Sequence, residues 1–162
     1  MPRARFAEIL RLLAEGEVEF IVVGMVAGVL QGAPVTTLDL DVVHRRSPEN
    51  VRRLLAVLGR LDAVYRHDAR RLRPGESHLA GPGHQLLTTS LGDLDCLGTI
   101  DQGRGYEELL PSTAALALAD GRVVRVLGLA ALIEAKERAG RPKDLAALPA
   151  LRATFDESKR NA

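Results

Sequence analysis

The chain is predicted to be an α+β protein, a mixed β-sheet with helices packed on it. Three observations predict this. Short, β-branched runs such as VEFIVVG (18 to 24) and LDLDVVH (38 to 44) have the length of strands. Runs such as residues 3 to 15 and 47 to 60 carry apolar residues at helical spacing. Strands and helices do not alternate strictly, which suggests a mixed sheet rather than a series of parallel βαβ units. With 162 residues the chain can bury a real core, and a single domain is expected over residues 1 to 155, followed by a polar tail from 156 to 162.

Each element has a local cause. Phe6, Ile9, Leu10, Leu12 and Leu13 form the apolar stripe of a first helix, residues 3 to 15, closed by Gly16. After the strand 18 to 24, MVAGVLQG (25 to 32) reads as a short helix whose Ala27 and Gly28 permit close packing. GAPV turns the chain into the strand 38 to 44. Ser47-Pro48 supplies a cap and a first-turn proline for a helix to about Arg60 that buries Val51, Leu54, Leu55 and Leu58. Residues 66 to 83, rich in turn dipeptides, are expected to be an irregular or mobile connection.

HQLLTT (84 to 89) and LDCLG (94 to 98) read as paired strands around Ser90-Leu91-Gly92-Asp93. One helical turn is expected from Tyr106 to Leu110. A hairpin follows, 113 to 119 and 122 to 127 joined at Asp120-Gly121. Two helices, 129 to 140 and 143 to 153, are separated by Gly140-Arg141-Pro142, and the tail FDESKRNA is expected to fray.

Composition narrows function. Aromatic residues make up 3%, too few for a platform on which single-stranded nucleic acid stacks. The net charge of +1 creates no global field for a polyanion. Arg66, Arg70, Arg71 and Arg73 do cluster, either as a solvated loop or as a local landing site for phosphates. Cys96 is the single cysteine, so no internal disulfide forms, which fits a reducing compartment. Residues 1 to 20 lack a signal-peptide pattern, and no apolar run approaches the roughly 18 residues of a membrane span. A cytoplasmic protein with no membrane partner is expected.

The chemistry centres on TTLDLDVVH, residues 36 to 44. Strand side chains alternate, so Asp39 and Asp41 share a face roughly 7 Å apart along the chain. Leu38, Leu40 and Val42 take the opposite, core-facing side. Two like charges on one face do nothing for folding and become favourable around a hard divalent cation; the alternative is the acidic outer face of an edge strand. Upstream, Gly24 ends a strand directly before a helix, where phosphate oxygens can approach the backbone. Downstream, Asp95 lies in apolar company within GDLDCLG. If that strand pairs beside the first, three carboxylates converge, enough for two magnesium ions. Asp93 shares the face of Asp95 but sits nearer the turn, so Asp95 is preferred. In LAALIEAKERAGRPKDL, Lys136 and Lys143 are candidates to neutralise triphosphate oxygens, or else are the solvated charges of amphipathic helices.

VVGMVAGVLQG, TTLDLDVV and GDLDCLG in this order resemble the nucleotidyltransferase superfamily, whose fold is shared with DNA polymerase β. The ending LIEAKERAGRPKDL is similar to that of small bacterial members, including toxin components of abortive-infection and toxin–antitoxin systems. The resemblance runs through about residues 5 to 153. It implies that Asp39, Asp41 and Asp95 are the catalytic and metal-binding carboxylates, with Mg²⁺, or Mn²⁺, as the metal. It also implies a nucleotide-binding set of Gly24, Met25, Thr37, Lys136 and Lys143. Met25 stands where the family usually has Gly or Ser, and Val35 where many small members have Arg. Backbone N–H contacts survive the first change; a Ser hydroxyl contact does not.

The activity so implied is transfer of NMP from a nucleoside triphosphate to an acceptor hydroxyl, with release of pyrophosphate. The acceptor could be a tRNA end, a protein or a small molecule. Little chain follows Asp101, so acceptor recognition is expected to use little machinery, a cognate small protein partner or a second copy of the chain. Two other functions stay open: a nucleotide- or partner-binding module without transfer, and a metal-dependent hydrolase with water as acceptor. His44, three residues from Asp41, faces the other side of the strand and is read as structural. None of the four histidines has a recognisable Ser or Cys partner for covalent catalysis.

Overall fold

The computed structural model describes residues 5 to 162. The elements run α1 (Phe6–Glu15), β1 (Phe20–Val23), α2 (Gly24–Leu30), β2 (Asp39–His44), α3 (Pro48–Arg60) and β3 (Val64–Tyr65). Then follow α4 (Glu76–Ala80), β4 (His84–Thr89), β5 (Gly92–Leu97), α5 (Tyr106–Leu109), β6 (Thr113–Ala117), β7 (Val123–Leu127), α6 (Leu129–Ala139) and α7 (Pro142–Arg160). The first two residues of the helix expected from residue 3 lie outside the described residues.

Seven strands form one sheet in the order β3-β4-β5-β2-β1-β7-β6. It is mixed: β1 is antiparallel to β2 but parallel to β7, and β2 is parallel to β5. The fold is therefore α+β, as the sequence predicts. All four residues of β1 are buried, so both faces of the sheet are covered at its centre.

β2 lies between β5 and β1. It is an interior strand, which removes the edge-strand explanation of its acids. Leu40 and Val42 are fully buried, but Leu38 is 77% exposed and precedes the strand. The core-facing role expected of Leu38 is thus wrong: regular pairing begins at Asp39, and alternation says nothing about a residue outside the ladder. His44 projects to the face opposite Asp41, as expected. Its Nε2 lies 2.7 Å from the Leu79 carbonyl oxygen. That oxygen can only accept, so Nε2 carries the proton, and burial lowers the pKa of the ring and keeps it neutral.

α3 is capped by the Ser47 hydroxyl, which accepts from the Asn50 N–H at 3.4 Å. It buries Val51, Leu54, Val57 and Leu58, while Leu55 is half-buried. Asn50 is buried too, and its amide bonds both backbone groups of Glu19 and the Arg45 carbonyl oxygen, tying α3 to the entries of β1 and the exit of β2.

Residues 66 to 83 are not simply irregular. They contain α4, and its Leu79 is fully buried. Five helical residues are too few to show a period, and β3, two residues long, is too short to show alternation. The last helix also continues past the expected boundary to Arg160, so residues 156 to 160 are helical, though exposed.

α2, α6 and α7 meet through Gly28, where an added Cβ would come within 2.8 Å of Leu151 Cδ2 and 3.6 Å of Leu132 Cδ2. This contact sets α6 over the same face of the sheet as Asp41. Leu151 is fully buried in it. Leu151→Ala should cost about 2–5 kcal/mol, read as a lower midpoint in urea unfolding.

Candidate active site

Parallel pairing places Asp41 directly beside Asp95, and Asp39 beside Asp93. The pairing that the sequence reading left conditional is therefore present. The opposite faces of both strands, Leu40, Val42, Leu94 and Cys96, are fully buried and hold the acids in place. Asp95 is 7% exposed, and its carboxyl group is close enough to Asp41 to share a hydrogen bond.

The consequence is electrostatic. Burial, the Asp95 charge, the bond to Asp95 and the Asp39 charge push Asp41 up to about 7, with Lys136 acting in the opposite sense. Gly24 faces this pair from the β1–α2 junction. Its φ is +65°, and a Cβ there would stand 2.4 Å from Asp41 Oδ2. Only glycine meets both conditions.

The acids open onto a cavity of about 750 Å³ lined by Gly24, Asp39, Asp41, Arg66 and Asp95, with Lys136, Arg138, Arg141 and Lys143 across it. A second, smaller cavity of about 320 Å³ lies against the same acid pair and is bounded by Met25, Thr37, Leu38, Lys136 and Lys143. The three expected metal-binding acids and the five residues of the expected nucleotide-binding set thus each border one or both cavities. Met25 is half-buried against the core, and the Thr37 hydroxyl lies 3.4 Å from the Asp39 carbonyl oxygen, to which it donates.

Lys136 does not project as a free cation. Its Nζ bonds Asp144 Oδ1 at 3.1 Å. Arg141 bonds the same carboxylate, Nε to Oδ2 at 2.6 Å and Nη2 to Oδ1 at 3.3 Å. Asp144 is completely buried. Burial alone would raise its pKa, but the bonds from Arg141 and Lys136 outweigh that and hold it below the usual carboxylate value. Lys143 has no carboxylate within 4 Å among the described residues. Sequence spacing identified the positive charges of this wall and missed the anion that organises them. The pattern Lys136-x(4)-Arg141-x-Lys143-Asp144 is visible in the sequence, but burial of an acid in the first turn of α7 is not.

The arginine cluster divides. Arg70 pairs with Asp68, and Arg71 and Arg73 pair with Asp62, all at the surface. Arg66 alone turns into the cavity, where Nη2 bonds Asp95 Oδ1 at 2.9 Å. Across from it, Arg138 bonds both oxygens of Asp101 at 2.8 and 2.6 Å.

A divalent cation suits this donor set. Hard carboxylate oxygens are present, and the surroundings of Asp41 disfavour its charged form unless a cation compensates it. As they stand, the described residues contain no group of three His, Cys, Asp or Glu side chains spaced as a ready-made cluster. Asp41 and Asp95 are in contact, while Asp39 stands one pleat away.

The mixed sheet and its covering helices give the chain a nucleotidyltransferase-like fold. Among solved structures it is similar to TM1012 from Thermotoga maritima, provisionally described as a nucleotidyltransferase. Identity is 17% and the TM-score 0.57, over 97% of this chain and 96% of that one. It is also similar to the antibiotic-resistance factor ANT(2'')-Ia in a solution structure, at 17% identity and a TM-score of 0.58, covering 96% of this chain and 91% of that one. A crystal structure of ANT(2'')-Ia in complex with adenylyl-2''-tobramycin gives 20% identity and a TM-score of 0.58, over 95% and 89%. No protein-family model matches the chain, and no curated protein matches it.

The raised Asp41 predicts a specific pH dependence of stability. An Asp of ordinary value 3.8 is ionised in the unfolded chain above that pH, whereas folded Asp41 keeps its proton to about 7. Stability from this group is therefore complete at low pH and is lost as pH rises through 7. With divalent ions chelated, Asp41→Asn should melt above the wild type at pH 8, by a margin that shrinks toward pH 5. Equal melting curves at pH 8 would remove the electrostatic account.

Proposed function

We propose that the protein is a divalent-metal-dependent nucleotidyltransferase that moves NMP from a nucleoside triphosphate to an acceptor hydroxyl. The observation that carries this is the Asp41–Asp95 pair, packed against Gly24 and opening onto a cavity whose far wall is cationic. A pair of carboxylates that raises its own proton affinity is a poor folding element and a good divalent-ion ligand. A fold shared with TM1012 and ANT(2'')-Ia supports the same class of reaction.

Asp39, Asp41 and Asp95 would hold the metal, Mg²⁺ or Mn²⁺. Bound there, it would supply charge neutralisation at the phosphate oxygens and polarise the α-phosphorus. Gly24, lacking a side chain, leaves its backbone open to the triphosphate. Lys143 offers an unpaired ammonium to those oxygens, and Asp144 holds Lys136 and Arg141 in fixed positions along the same wall. Asp95 accepts the hydrogen bond of the acceptor hydroxyl, aims that oxygen at the α-phosphorus and takes up its proton as the new O–P bond forms. Attack there breaks the bond to the bridging oxygen, and pyrophosphate leaves. Most of the acceleration comes from positioning and fixed charge.

Met25 is compatible with this chemistry. Its side chain packs against the core, and its backbone N–H remains at the start of α2. The likeness of the α6–α7 ending to small bacterial members supports a finer assignment, a toxin-like transferase paired with a small protein partner.

Incubation with labelled nucleoside triphosphates and Mg²⁺ or Mn²⁺ tests the activity. The expected result is pyrophosphate release that depends on metal and is stimulated by an acceptor. Asp39→Asn should reduce it by at least about 10²-fold with an unchanged far-UV spectrum, the loss typical of removing a group that stabilises transition-state charge. Nucleotide binding without pyrophosphate release would favour the binding module, and release with no acceptor present the hydrolase.

A further inference from the structure

Arg66 is the one member of its cluster that abandons the surface. Its backbone N–H bonds the Leu86 carbonyl oxygen at 2.9 Å, and Nη1 bonds the Leu87 carbonyl oxygen at 2.8 Å. The guanidinium thus crosses β4 and ends against Asp95 Oδ1 at 2.9 Å, with Asp93 Oδ2 at 3.6 Å. The side chain is 15% exposed and borders the main cavity. Because β5 lies between β4 and β2, Asp95 is flanked by Arg66 on one side and by Asp41 on the other.

Two effects of opposite sign follow. A permanent positive charge in contact with Asp95 opposes the entry of a second positive charge, so it weakens divalent-ion binding. The same bond commits Oδ1 and fixes the carboxylate plane, because a second guanidinium nitrogen is anchored on the immobile Leu87 carbonyl. A carboxylate held this way stays aimed at the cavity rather than rotating toward whichever ion arrives.

We propose that Arg66 is a positioning counter-ion of the carboxylate site: it lowers the affinity of the site for divalent ions while holding Asp95 in the orientation that transfer to an acceptor requires. This rests on the assignment of Asp41 and Asp95 to a metal site. It distinguishes Arg66 from an ordinary stabilising ion pair, whose loss weakens everything together.

The test uses the full chain, with Mn²⁺ alone as the probe, titrated by the paramagnetic signal of the free ion. Arg66→Met should bind Mn²⁺ about tenfold more tightly than the wild type, the size of one partly buried charge interaction. Its kcat for transfer should fall while KM for the triphosphate changes little. Arg66→Lys should restore the wild-type Mn²⁺ affinity, because the charge returns, but not the rate, because an ammonium cannot bond Leu87 and Asp95 as a fork. Free guanidinium should recover part of the Arg66→Met rate. If Arg66→Met does not fold, Arg66→Gln keeps a donor for the Leu87 carbonyl and carries the same Mn²⁺ expectation. Binding no tighter than wild type in the folded variant overturns the proposal and leaves the metal site standing. Absence of Mn²⁺ binding in both wild type and variant overturns the metal site itself, and the proposal with it.

Discussion

Two carboxyl groups held side by side by the parallel pairing of β2 and β5 dictate much of the surrounding structure. Asp41 and Asp95 cannot separate, because the residues flanking each of them in its strand are buried in the core on the other face. Nor does water fully screen their repulsion, since Asp41 is half-buried and Asp95 is buried. The protein answers with a glycine that leaves room for Asp41, an arginine that touches Asp95 and a lysine wall on α6 and α7. Removing the negative charge would ease folding. Retaining it makes sense where a cation is to be bound, because the repulsion between the acids is what the ion relieves.

The opposite wall solves a related problem by different means. Asp144 is more deeply buried than Asp95, yet three bonds from Lys136 and Arg141 keep it ionised. One buried acid is thus fully compensated from within and the other pair is not. That contrast separates an acid that organises its neighbours from acids whose repulsion is only partly relieved within the protein. The cavity between the two walls is consequently asymmetric, with carboxylates on the sheet and cationic side chains on the helices.

Much of this was legible in the sequence where a period could show it. Alternation in LDLDVV placed Asp39 and Asp41 on one face, and His44 on the other, before any coordinates were needed. The apolar setting of Asp95 announced a strand, though not its place beside β2, and Gly140 announced the break between α6 and α7. What stayed hidden depends on register and depth. β3 and α4 are too short to carry a pattern. The turn of Arg66 toward Asp95 follows only once β3, β4 and β5 are aligned, and its three neighbours in the sequence give no hint that one arginine differs. Leu38 misled because alternation was extended one residue beyond the ladder. The alternative of an edge strand could be settled only by the order of strands, which no local pattern encodes.

The most direct measurement follows the proton on Asp41. A divalent ion binding between Asp41 and Asp95 must displace it, because the carboxyl group cannot donate to its neighbour and ligate the metal at once. Mn²⁺ titration by calorimetry in two buffers of different ionisation enthalpy counts the protons released. With Asp41 near 7, most of one proton should leave per bound ion at pH 6, and almost none at pH 9. Binding without proton release at pH 6, or with a release independent of pH, would contradict the account.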